Sequence, residues 1–193
     1  MYLRNTRYWG LVVEVELSTG WSARITVDLV NTATHSGDRL RTTDDLAGFL
    51  RSNGESEPVT VDADDLSAVR ALRERLRAIF ETDDETQAAR EVNELLDAHA
   101  TRPYLSNHDG APWHLHASPA DADWAGWLGA RTALALALII SDGGFRRLRR
   151  CAAGDCAVVL LDTSRNHTRR FCSPTCATRT RVAAHRARRG PVS

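Results

Sequence analysis

Four cysteines, Cys151, Cys156, Cys172 and Cys176, fall within 26 residues near the end of this 193-residue chain, and the rest of it contains none. The pairs are spaced C-x4-C and C-x3-C, with a 15-residue connector from Ala157 to Phe171. Each pair can present two thiolates from one tight turn while the connector folds back to join them, which is how a closed tetrahedral zinc site is built. The inner spacings are wider than the common two residues, yet within the range zinc knuckles use. The alternatives are two disulfides or four reduced thiols in a core.

The N-terminal stretch MYLRNTRYWGLVVEVEL carries Glu14 and Glu16 through its apolar run and has no small-residue cleavage site. It makes a poor signal peptide, so a reducing, cytoplasmic setting is expected. There, grouped cysteines bind metal more often than they form persistent disulfides. Redox chemistry is disfavoured because neither pair is C-x-x-C. With 42 % hydrophobic residues the chain can build one good core plus a small appended module. Its longest apolar stretch, Thr132–Ile140, is too short to span a bilayer, so no membrane role is expected.

The formal net charge of zero hides a division. Residues 146–189 hold twelve arginines against Asp155 and Asp162, a net +10, and the remaining residues balance this at −10. A four-thiolate zinc centre would leave the C-terminal part near +8. Such asymmetry points to a polyanionic partner for one end only.

Leu11, Val13, Val15 and Leu17 alternate with acids, as in a half-buried strand. A second apolar stretch, Ile25–Val30, ends at Asn31-Thr32. Thr43-Asp44-Asp45 opens a short helix through Leu50. From Asp64 to Phe80, Leu66, Val69, Leu72, Leu76 and Ile79 share one helical face, with arginines elsewhere. Thr82-Asp83-Asp84-Glu85 reads as a capping box for a helix to about His99. Thr101–Leu105 and Trp113–Ala117 flank a turn and read as a hairpin. Asp121 is the expected cap of a helix that carries Trp124, Trp127, Leu128, Leu134, Leu138 and Ile139 and stops at Asp142-Gly143-Gly144, the expected domain boundary.

Beyond it, Cys151–Cys156 forms the first knuckle, with Gly154 supplying a positive-φ turn. Ala157–Leu161 is a short strand and Asp162–Asn166 a turn. Ser173-Pro174 is an N-cap and N1 pair opening a helix to about Arg189, with Cys176 in its first turn. This is treble-clef-like geometry.

At these residues a resemblance enters. LLDTSRNHTRRFCSPTCATRTRVAAHRARR, with RRLRRCAAGDC before it, resembles the finger of the CGNR zinc-finger proteins. DLVNT (28–32), TTDDLAGFL (42–50), PWHLH (112–116) and DADWAGW (121–127) resemble the ABATE domain that precedes such fingers. The namesake Cys-Gly-Asn-Arg is Cys176-Ala177-Thr178-Arg179 here. The resemblance implies a bacterial, stress-related transcriptional regulator whose finger binds DNA and whose N-terminal domain senses a ligand. Its metal cysteines carry over onto Cys151, Cys156, Cys172 and Cys176.

The expected architecture is therefore α+β. A mostly α-helical domain with small β elements (residues 1–144) precedes a small treble-clef-like zinc finger of four cysteines with a basic helix (145–193), which holds one structural Zn2+. Arg179, Arg186 and Arg189 lie near one stripe of that helix beside Arg181, His185 and Arg188, a surface able to meet phosphates. With Arg165, Asn166, Arg169 and Arg170 these form the candidate nucleic-acid set, Arg179 being the candidate base contact. The alternative is a protein-docking module without DNA binding, or self-association as a homodimer. Asn31, Trp113, His114 and His116 are the candidate effector contacts. The two histidines share a strand face and could ligate a second metal, although a plain surface pair is the simpler reading. Trp113, Trp124 and Trp127 could line a pocket, but at helical spacing tryptophans more often pack in a core. No nucleophile elbow, P-loop, dinucleotide fingerprint or His-Glu-x-x-His occurs, and a four-cysteine zinc has no open coordination position, so no enzyme is expected.

Overall fold

Helices build most of the described chain before Gly144, and Asp62, Asp84 and Asp123 cap three of them. The computed structural model describes residues 20, 22–55, 58–107, 113–164 and 166–189. The strand expected over Leu11–Leu17 and the candidate Arg165 lie outside the described residues, as do the side chains of His114 and Arg189. The apolar stretch at Ile25 falls in helix α1 (residues 22–30), followed by the hairpin β1 (Ala33–Thr34) and β2 (Gly37–Asp38). Helix α2 (Thr43–Ser52) starts from a capping box between Thr42 and Asp45, and α3 (Ala63–Glu81) from one between Asp62 and Asp65. Helix α4 (Glu85–His99) is capped otherwise than its sequence suggested. Asp84 accepts from the N–H groups of Thr86 and Gln87, while the Thr82 hydroxyl accepts from Asp84 N–H one step earlier.

The hairpin β3 (Tyr104–Ser106) and β4 (His114–His116) pairs Leu105 with Leu115. Helix α5 (Trp124–Gly143) is capped by Asp123 in place of Asp121, because Pro119 and Ala122 close a turn first. Gly144 ends it at φ 73°, ψ 172°, a backbone region essentially reserved for glycine. A 3-10 turn (Phe145–Arg147) leads into β5 (Leu148–Arg150), β6 (Val159–Leu161) and α6 (Pro174–Arg189).

The core gathers Leu46, Leu50, Leu76, Leu95, Leu128 and Leu136 from α2 to α5, all fully buried. By length and composition Trp124–Asp142 would suffice to cross a bilayer, but in this structure it packs against α3 and α4. Its approach to α4 is close, since a Cβ on Gly129 would stand 2.5 Å from the His99 ring.

Two arginines of α3 leave the exposed face assigned to them by periodicity. Arg73 is only 5 % exposed. Its guanidinium grips both Asp38 oxygens at 2.7 and 2.8 Å and the Thr32 hydroxyl at 3.1 Å, and this bond holds the Asp38 carboxyl below its ordinary range against the opposing effect of burial. Arg77 donates to the carbonyls of Val30 and Ala33, closing the C-terminal end of α1, and to Ala157 O in the finger at 3.2 Å.

The hydrophobic core continues across Gly144. Val159 is buried among the helical residues, with Phe145, Leu148 and Leu161 packed beside it. In the β5–β6 ladder Val159 faces Arg150 without exchanging hydrogen bonds with it, so its N–H and C=O point to the open edge of β6. The Asn31 amide meets both groups, donating to Val159 O and accepting from Val159 N at 2.9 Å each. A side-chain amide thus stands where another strand's peptide would. Replacing Asn31 by Ala strips two partners from a buried strand edge, and an equilibrium unfolding series should show a loss of about 1–3 kcal/mol. A change below about 0.5 kcal/mol, the scatter of ordinary surface substitutions, would show that solvent satisfies β6 equally well.

Candidate metal centre and basic helix

The ends of two short elements bring the cysteines together. Cys151 follows β5 directly, and its N–H pairs with Val158 O at 2.9 Å. The knuckle closes through Cys156 N–H to Ala153 O at 3.0 Å, without a positive φ at Gly154. Among the described connector residues, His167 has a positive φ of 52°. On the other side, Ser173 caps α6 by accepting from Cys176 N–H at 3.2 Å, so Cys176 sits at the third helical position as its Ser-Pro signal implied.

The four sulfur atoms lie within 4.8 Å of one another, with Cys156–Cys172 at 3.8 Å and Cys172–Cys176 at 3.6 Å. Zinc held by four thiolates at about 2.3 Å needs neighbouring sulfurs about 3.8 Å apart, so the donor set fits that ion in chemistry and spacing. None of the four forms a disulfide. Burial raises the Cys151 thiol, but N–H groups of Cys172 and Ala153 outweigh it and bring that thiol to about 7. Burial, then the neighbouring thiols, push Cys172 up to about 12. Four such groups ionise together only around a cation.

The connector is organised by Asp162, which is fully buried. It accepts from the Ser164 hydroxyl, from Ser164 N–H at 2.9 Å and from Arg169 N–H at 3.0 Å. These bonds and the nearby Arg149 charge overcome burial and hold its carboxyl below the ordinary range. Arg169 also reaches Cys172 O at 3.3 Å, and Arg170 lies over the Phe171 ring at 5.9 Å. Arg179 forms an ion pair with Asp155 at 2.8 Å and donates to Cys176 Sγ at 3.6 Å. Arg181, Arg186, Arg188 and His185 are exposed on α6, and Asn166 is exposed on the connector.

Three of the four candidate effector residues, Asn31, Trp113 and His116, have described side chains. Asn31 binds β6, Trp113 is 67 % exposed, and His116 stacks on Tyr104 with ring centroids 5.4 Å apart. Among the described residues the four cysteines are the only group of three or more potential ligands close enough to hold a metal. A cavity of about 530 Å³ lies instead between α3, α4 and the start of α5, lined by Leu72, Arg75, His99, Pro119, Asp123 and small residues including Ala68 and Gly126. Sequence reasoning missed Arg77, Asp155 and Asp162. The two acids were visible as the only negative charges among twelve arginines, a signal that each has a specific partner.

Stripping the metal should expose four reactive thiols per chain and lower the helical circular dichroism by the content of α6, because thiolate binding and local folding are coupled. Emission from Trp124 and Trp127 in the helical core should change little. Thiols that react equally fast before and after chelation would contradict a zinc-bound site.

Comparison with protein families gives two matches in sequence order. Residues 23–143 match the ABATE family, described as "Putative stress-induced transcription regulator", and residues 147–189 match the CGNR zinc finger. Comparison with curated proteins gives no match. Both matched families are regulator or zinc-finger types, not enzyme families. The finger match and the sulfur cluster together assign one structural zinc to the four cysteines. With the first match covering well over half its length, the chain belongs to the ABATE family and carries a CGNR zinc finger after that match.

Proposed function

We propose that this chain is a DNA-binding transcriptional regulator whose zinc finger presents α6 to the phosphate backbone. The observation that carries this reading is the state of α6 itself. Every residue from Arg181 to Arg188 is exposed, and the helix contains no acid. Among the described residues its ion pair is that of Arg179 with Asp155, inside the finger. The basic helix is therefore not docked on the acidic half of its own chain, which favours an external polyanion. Arg169 and Arg179 are engaged around the knuckles, so Arg181, Arg186 and Arg188 are the side chains assigned to phosphates, with Arg170 and Asn166 at the flank.

The effector half of the reading rests on the cavity beside α3, whose volume falls in the range of small-molecule sites. Helix α3 lines it with Ala68, Ala71, Leu72 and Arg75, and two residues later holds the finger through Arg77. A ligand that shifts α3 would be felt at the first knuckle.

Replacing Arg181, Arg186 and Arg188 together by Ala should lower the slope of log K against log salt by about 0.9 per lost phosphate contact while the chain keeps its zinc. Titration of a labelled DNA duplex at several salt concentrations reads this directly. An unchanged slope removes α6 from the interface. Absence of any salt-sensitive DNA affinity in the zinc-loaded chain turns the reading to an acidic protein partner.

A further inference from the structure

Arg179 stands three residues after Cys176, and side chains on a helix lean toward its N-terminus, so the guanidinium folds back over the metal cluster. There it meets two acceptors from opposite sides of the site. One is Cys176 Sγ at 3.6 Å, from the second knuckle, and the other is Asp155 Oδ1 at 2.8 Å, from the first. Asp155 immediately precedes the ligand Cys156. We propose that Arg179 is a positioning residue of the zinc centre, cross-linking the two knuckles outside the ligand shell and partly neutralising the Cys176 thiolate.

Three physical points support this assignment. A zinc ion with four thiolates carries two net negative charges, and a donor to one sulfur draws off part of that charge. The planar guanidinium can address a carboxylate and a sulfur at once, whereas an ammonium is a point charge on a flexible stem. The Arg179 and Asp155 side chains are 49 % and 67 % exposed, so as a bare surface ion pair they would contribute little to folding. Their placement acts on the metal ligands. It also gives a structural reason for an arginine at the end of the Cys-x-x-Arg motif, independent of any contact with a base.

The test uses the full-length, zinc-loaded chain without DNA, so it stands apart from the regulatory reading. Zinc transfer to a competing chelator is followed for Arg179→Ala, Arg179→Lys and Asp155→Asn, together with alkylation of each cysteine by mass spectrometry. Arg179→Ala should weaken zinc retention about 10–100-fold, the range found for partners of metal ligands. Arg179→Lys should recover only part of it, and Asp155→Asn should act in the same direction as Arg179→Ala. Alkylation should rise first at Cys176. The melting of the helical core, read from tryptophan emission, should stay where it was. Zinc retention within twofold of the parent in Arg179→Ala, or a loss spread evenly over all four cysteines together with a lower core melting temperature, overturns the proposal.

Discussion

Four sulfur atoms held within 4.8 Å of one another are the constraint on which the C-terminal quarter of this protein depends. The finger's own apolar cluster consists of Cys151, Ala153, Leu160 and Cys176, with a few half-buried neighbours. A core of that size does not offset the entropy of ordering some forty residues, and small modules of this kind rely on a metal or a covalent staple. The zinc ion lets the thiolates coexist. It thereby fixes the angle at which α6 leaves the cluster, because Cys176 is a metal ligand and a first-turn residue of that helix at once.

The finger has a second anchorage, and it lies outside the finger. Val159 is buried in the core of the helical bundle, Asn31 closes the free edge of β6, and Arg77 ties the end of α1 to the first knuckle. Residues 144–146 separate the two matched segments, yet packing and hydrogen bonds cross that gap. Under the proposed function this matters, since a module docked through a shared core responds to strain in its support more directly than one on a loose tether. Helix α3 lines the cavity with Leu72 and Arg75 and carries Arg77 toward the finger.

Much of this was legible in the sequence. Cysteine spacing identified the metal ligands because zinc geometry restricts spacing more sharply than packing restricts any apolar pattern. Apolar periodicity located α3 and α5, and Ser173-Pro174 located the start of α6. What escaped was long-range. The role of Asn31 depends on a strand 128 residues away. The burial of Arg73 depends on Asp38 in a two-residue strand too short to leave a pattern. The caps of α4 and α5 were misplaced because Thr82, Asp84, Asp121 and Asp123 are chemically equivalent candidates, and turn geometry chose among them. The cavity beside α3 left no mark in the sequence for the same reason. Histidines and tryptophans carry local chemistry, but only the packing of helices creates a cavity.

Under the proposed function, zinc builds the surface that meets DNA. The most direct measurement is the affinity of the full-length chain for duplex DNA at one fixed salt concentration, compared between the zinc-loaded chain, the stripped chain and the stripped chain after zinc is restored. Tight binding is expected in the first, with a loss of at least tenfold on stripping and recovery on restoration. Equal affinity in all three states would mean that the arginines bind as a charged segment whatever their fold, and would contradict this role of zinc.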